Sequence, residues 1–149
     1  MSSPYLLKAK AYCTYQERCH REVREKLYSL SLHKKEVDEI ISTLIEENYL
    51  NEERFAIQFA GGRFRIKQWG RVRIKYALKQ KQVSQYCIRK AIDAIDEKDY
   101  LATLRKLSSA KSKTLKNEKN SLIRKRKLQD HLIQKGYERD LVIRITDED

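Results

Sequence analysis

One proline and four glycines in 149 residues are too few turn formers for an all-β chain, whose short strands need frequent reversals. With hydrophobic residues at 40% and charged residues at 36%, the composition is rich in helix formers, and helix is the default. Long apolar runs are missing as well. None approaches the roughly 20 residues of a membrane span, and positions 1–11 hold no apolar core of signal-peptide length. The expectation is a cytoplasmic protein of the cytosol or nucleoid with no membrane partner. Cys13, Cys19 and Cys87 are odd in number and offer no disulfide framework, which argues against a stapled secreted scaffold. Cys13, Cys19 and His20 match no common zinc spacing, so the metal expectation is none and the thiols read as buried or half-buried.

Convergent catalytic groups are also lacking. His20, His33 and His131 fall in or beside different predicted helices, no motif gives them roles, and they read as surface or capping residues. There is no Walker loop or dinucleotide fingerprint, and Gly61-Gly62 has neither the lysine nor the spacing of one. No catalytic residue, cofactor or small-molecule substrate is expected. The two glycines together cost a helix about 2 kcal/mol, so they are expected to weaken or bend the one they sit in.

What is present is a repeat. Val37, Ile40, Ile41 and Leu44 follow the i, i+3, i+4, i+7 pattern of an amphipathic helix. A shift of 51 residues lays Val23, Leu27, Leu32, Val37, Ile41 and Leu44 over Ile74, Leu78, Val83, Ile88, Ile92 and Ile95. A further step of 54 sets Leu128, Leu132, Tyr137 and Val142 over Ile74, Leu78, Val83 and Ile88. Helical periodicity recurs every 3.6 residues or so and does not single out such steps. Each copy opens on a Tyr-Leu pair, Tyr5-Leu6, Tyr49-Leu50 and Tyr100-Leu101.

The expected fold is therefore all-α: three tandem three-helix repeats at 1–48, 49–99 and 100–149. The second is predicted as helices over 49–64, 70–81 and 84–95, with Ser84 as the N-cap of the last. A unit this small buries little surface alone, so the repeats are expected to stack on a continuous core as an elongated, curved right-handed or irregular helical array.

Charge divides unevenly among the copies. Residues 1–50 hold 8 basic and 8 acidic groups, 51–95 hold 11 and 3, and 96–149 hold 14 and 10. From 54 to 92 there is no acidic residue, and a second basic run over 111–127 is interrupted only by Glu118. The interval from the opening tyrosine to the anchoring leucine of the second helix grows from 22 to 29 to 32 residues, and the basic groups gather in the extended first turns. Insertions in repeat proteins tend to form one binding face. Phe64 and Trp69 are interleaved there with Arg63, Arg65, Lys67 and Arg71, a mixture that suits phosphate contacts beside a stacking or packing anchor. A solvated helix face, with Trp69 plugging the junction before Gly70, is the structural alternative. The net charge of +12 favours a polyanionic partner.

The segment Asn48-Tyr49-Leu50-Asn51-Glu52-Glu53-Arg54-Phe55-Ala56 resembles the most recognisable stretch of the RecX family of recombinase regulators. Arg63, the basic residues up to Gly70, then Ile74, Leu78, Lys81, Val83, Ile88 and Ala91 follow that family's second repeat, and Lys135-Gly136-Tyr137 follows its third. Asn48 replaces a usual glycine, Asn51-Glu52 a typical acidic pair, and Ser31 and Gln82 stand where the family often has the turn glycine kept here as Gly136.

The resemblance implies a cytoplasmic bacterial protein that binds the RecA recombinase filament on DNA and lowers its ATP turnover, strand exchange and co-protease function. DNA phosphates would be secondary contacts, and the chain is expected to be monomeric. The electrostatic contacts are expected at Arg63, Arg65, Lys67, Arg71, Arg73 and Lys75, with Trp69 as anchor and Arg124, Lys125, Arg126 and Lys127 as a second patch. Tyr49, Leu50, Phe55 and Ala56 are read as core. The competing reading is an autonomous nucleic-acid-binding protein that uses a short helix pair as a helix-turn-helix.

Overall fold

The computed structural model describes residues 3–148, so positions 1, 2 and 149, at the ends of the first and third expected repeats, lie outside the described residues. The described residues form nine helices and no strand: α1 (Pro4–Tyr15), α2 (His20–Ser29), α3 (Lys34–Glu46), α4 (Glu52–Lys67), α5 (Arg71–Gln80), α6 (Gln85–Asp93), α7 (Glu97–Thr114), α8 (Ser121–Gln134) and α9 (Arg139–Asp147). None is long and apolar enough to cross a membrane.

Short polar side chains start most of these helices by accepting the free amides of the first turn. Ser3 accepts from the Leu6 N–H at 3.0 Å, Asn51 from Arg54 at 3.0 Å, Ser84 from Cys87 at 3.2 Å and Asp96 from Asp99 at 3.0 Å. Asn120 accepts from both Leu122 and Ile123. At α2 and α3 a glutamate three residues into the helix reaches back instead, Glu22 to the Cys19 N–H and Glu36 to the His33 N–H. Ser84 is thus the cap expected from sequence. α4 runs without a break over Gly61 and Gly62. A Cβ at Gly61 would lie 2.7 Å from Arg65 Nη1, so the glycine leaves room for that guanidinium to fold over the helix.

Every apolar position aligned by the steps of 51 and 54 is buried, with Leu27, Leu78 and Leu132 at full burial. The turns repeat as well. Ser31, Gln82 and Gly136, related by the same two steps, all have left-handed backbones, at φ 67°, 60° and 103°. Beyond two of them, Val83 and Tyr137 donate their N–H groups to the Leu78 and Leu132 carbonyls, at 3.2 Å in each case. This is the helix-terminating pattern in which a left-handed residue lets the chain satisfy its last carbonyls. Asn48, in the place of another family glycine, has φ 63°. The Tyr-Leu pairs are less alike: Leu6 and Leu50 are buried, whereas in the third pair it is Tyr100 that is fully buried.

The chain divides into two compact units, Met1–Phe59 with Leu78–Ala91, and Ala60–Ala77 with Ile92–Asp149. In the first, α1, α2 and α3 pack mutually around Leu6, Val23, Leu27, Val37, Ile41, Leu44 and Leu50. In the second, α7, α8 and α9 pack mutually, and their core includes Leu104, Leu128, Leu132, Val142 and Ile145. A chain of rings runs through it, Phe64 to Tyr100 at 5.8 Å and Tyr100 to Tyr137 at 5.1 Å between centroids. All three cysteines are buried and free, and burial pushes the Cys19 thiol up to about 11.

Candidate functional site

The basic surface of the second unit is built on a contact between two turns. The Gly70 N–H donates to the Lys135 carbonyl and the Val72 N–H to the Gly136 carbonyl, each at 2.9 Å. Tyr137 Oη donates to the Gln68 carbonyl at 2.9 Å, and Lys135 Nζ to that of Lys67 at 3.2 Å. The two backbones meet so closely that a Cβ on Gly70 would overlap the Gly136 carbonyl, and one on Gly136 would overlap Arg73. Two glycines are needed for the approach, and the approach fixes the α4–α5 turn.

Trp69 lies in that turn, half-buried, with the Arg73 guanidinium 4.4 Å and the Arg63 guanidinium 5.6 Å from its ring centroid. Cation–π contacts of this kind hold two cations over one ring. Arg65, Lys67, Arg73 and Lys75 are exposed. None of these four forms an ion pair among the described residues.

Arg71 is different. Its side chain is 15% exposed; Nη1 donates to Glu138 at 2.9 Å and Nη2 to Glu97. Its guanidinium carbon lies 3.8 Å from the Tyr100 ring centroid, its backbone N–H donates to Tyr100 Oη at 2.9 Å, and Tyr100 donates in turn to Glu138. Burial works against the Arg71 charge, but the bonds to Glu138 and Glu97 more than offset it and hold its pKa above the ordinary value. Burial, with the Glu138 bond, keeps the Tyr100 hydroxyl protonated well beyond the usual phenol range. The carboxylates missing from 54 to 92 are therefore supplied to Arg71 from far along the chain.

The second patch is dispersed. Arg124 donates to the Glu118 carbonyl at 2.8 Å, Lys127 pairs with the Glu118 carboxylate at 3.3 Å, and Lys125 pairs with Asp147. Arg126 has no such partner among the described residues. Four consecutive helical residues point around the axis, about 100° apart, so they do not share a face.

Exposed apolar side chains, not singled out from sequence, accompany the first patch. Ile66 is 82%, Val72 53% and Tyr76 65% exposed. Val72 and Tyr76 are one turn apart and out of phase with buried Ile74 and Leu78, a signal readable in the chain.

The histidines belong to different elements. His20 Nδ1 pairs with Glu52 at 3.3 Å, His33 is the N-cap of α3, and His131 is half-buried on α8. Among the described residues no group of three His, Cys, Asp or Glu side chains is placed to hold a metal ion.

Residues 51–92, which carry the first patch and its turn, match the family model described as RecX, second three-helix domain. The chain is 32% identical over 118 residues to the regulatory protein RecX of Clostridium tetani, covering 78% of this chain and 54% of that one. It is 28% identical over 137 residues to the regulatory protein RecX of Bacillus cytotoxicus, covering 91% of this chain and 50% of that one. The chain belongs to the RecX family.

Two solved structures share its fold: RecX from Lactobacillus salivarius, with a TM-score of 0.89, 24% identity and coverage of 97% of this chain and 93% of that one, and a regulatory protein RecX with a TM-score of 0.83, 20% identity and coverage of 96% and 72%. The chain spans about half the length of the curated RecX relatives it matches. Of the sequence-chosen residues, Arg63 to Lys75 lie inside the RecX domain match and Arg124 to Lys127 outside it.

Proposed function

We propose that this chain is a non-enzymatic regulator in the cytoplasm that binds the RecA–DNA filament and restrains its ATPase, strand-exchange and co-protease activities. One observation carries the reading: within the RecX domain match, Arg65, Lys67, Arg73 and Lys75 are exposed cations without ion pairs among the described residues, and Arg73 lies over a half-buried Trp69. Such a surface attracts a polyanionic assembly electrostatically, and Ile66, Val72 and Tyr76 add apolar contacts that a protein partner can bury. RecA is then the principal partner and DNA phosphates are secondary. The repeats at 1–48, 49–99 and 100–149 would provide the span, with the chain acting as a monomer.

The test is a titration of the protein against preformed RecA filaments and against naked DNA over a range of salt. Tighter binding to filament at physiological ionic strength is expected. Equal affinity for both, with the same steep salt slope, would instead identify an autonomous phosphate binder of the helix-turn-helix kind.

A further inference from the structure

Apart from the basic surface, the Ala60–Ala77 and Ile92–Asp149 unit contains a cleft of about 320 Å³ between α7 and α9. One face of α7 supplies Ser108, Ser109 and Ser112, with Arg105, Lys113 and Lys116 around them, and Ile145 and Glu148 lie opposite. Ser108 is 2% exposed, and its Oγ has no hydrogen-bond partner among the described residues. A helical serine usually gives its proton to a carbonyl one turn back, and this one does not. The other buried hydroxyl of this region, Thr146 Oγ1, is satisfied, donating to the Val142 carbonyl at 2.8 Å and accepting from Gln129 at 2.9 Å. The unmet hydroxyl belongs to a residue that lines the cleft.

Lys113 and Lys116 are exposed and form no ion pair among the described residues. Arg105 is held by Glu148 through two long contacts, Nε to Oε1 at 3.3 Å and Nη2 to Oε2 at 3.4 Å, on the exposed rim. A stronger anion can take this guanidinium in exchange. Three cations against one carboxylate repel a metal ion, and a neutral ligand makes no use of them.

We propose that this cleft binds a phosphate group. The Ser112 hydroxyl donates to its oxygens, the Ser108 hydroxyl turns from its enclosed position to do the same, Lys113 and Lys116 neutralise it, and Arg105 leaves Glu148 to close over it. A free phosphate ion and the phosphodiester of a nucleic-acid strand present the same oxygens, and the site stands independently of the filament reading.

The full chain is titrated with inorganic phosphate and, separately, with an oligothymidylate lacking terminal phosphates, following the backbone amide signals of Ser108, Ser109 and Ser112 by NMR. Saturable shifts are expected in at least one arm, and the arm that saturates names the source. Affinity should fall by about tenfold or more in the Ser108→Ala/Ser112→Ala pair and in the exposed Lys113→Gln/Lys116→Gln pair. Circular dichroism checks each fold, and if the serine pair unfolds the lysine pair decides alone. No saturable shift in either arm, or affinity within twofold of wild type in a folded pair, overturns the site.

Discussion

Arg71 illustrates how a cation that reads as a surface contact takes on a structural role. At 15% side-chain exposure it joins Glu97, Glu138 and Tyr100, partners that stand 26, 67 and 29 residues away in the chain. That separation is why sequence does not reveal its engagement: local spacing shows only that no acid lies nearby. Arg71→Glu should lower stability by about 2–3 kcal/mol in urea unfolding, since it sets a third carboxylate against two others in a partly buried site. Arg73→Glu, exposed beside Trp69, should cost under about 1 kcal/mol, so the binding role of the patch is tested at Arg73 and not at Arg71. His131 supplies a pH dependence. Burial first, then Lys111 and Lys135, depress its pKa below the ordinary 6.5. The unfolded chain therefore takes up the proton at a higher pH than the folded one. Stability falls as pH drops below about 6.5 and levels off below the folded value. His131→Gln should shrink the loss of Tm measured between about pH 7.5 and about pH 5.5, and an unchanged loss would assign the pH effect elsewhere.

Among the elements, the second helix of each triplet and the turn after it were the most legible. Leu27, Leu78 and Leu132 sit at full burial on the register read from the chain, and Ser84 caps α6. Departures from the family glycines proved uninformative about backbone shape: Ser31, Asn48 and Gln82 adopt the left-handed conformation despite their side chains, because the helix-ending turn demands it. That conformation costs an ordinary residue about 1 kcal/mol. Gln82→Gly should accordingly raise stability by about 0.5–1 kcal/mol in thermal or urea unfolding. The opposite change tests the Gly70–Gly136 contact. Gly70→Ala would force the Gly136 carbonyl away and should cost on the order of 3 kcal/mol, with α8 and α9 losing hydrogen-exchange protection alongside α5. Nothing local to Gly70 discloses this, since its partner turn lies in the third repeat of the sequence.

For the molecule as a whole, family and fold class could be read from a single segment, Asn48 to Ala56, together with the repeat register. The distribution of the basic groups could not. Charge counted along the chain treats Arg63 to Lys75 and Arg124 to Lys127 alike, whereas in three dimensions two of the first set, Arg63 and Arg73, lie over Trp69 and four others are exposed or held by distant carboxylates, while the second points around α8, three of its members held by Glu118 or Asp147. The first set is also the one inside the RecX domain match. The most direct test is therefore RecA's DNA-dependent ATP turnover, measured against increasing concentrations of this protein and of its Arg65→Glu/Lys67→Glu/Arg73→Glu/Lys75→Glu variant. Wild type should depress turnover, and the variant, with an unaltered melting curve, should need about tenfold more protein or greater for the same effect. Undiminished turnover with wild type at saturation, or equal potency of the variant, would contradict the proposed role of this surface.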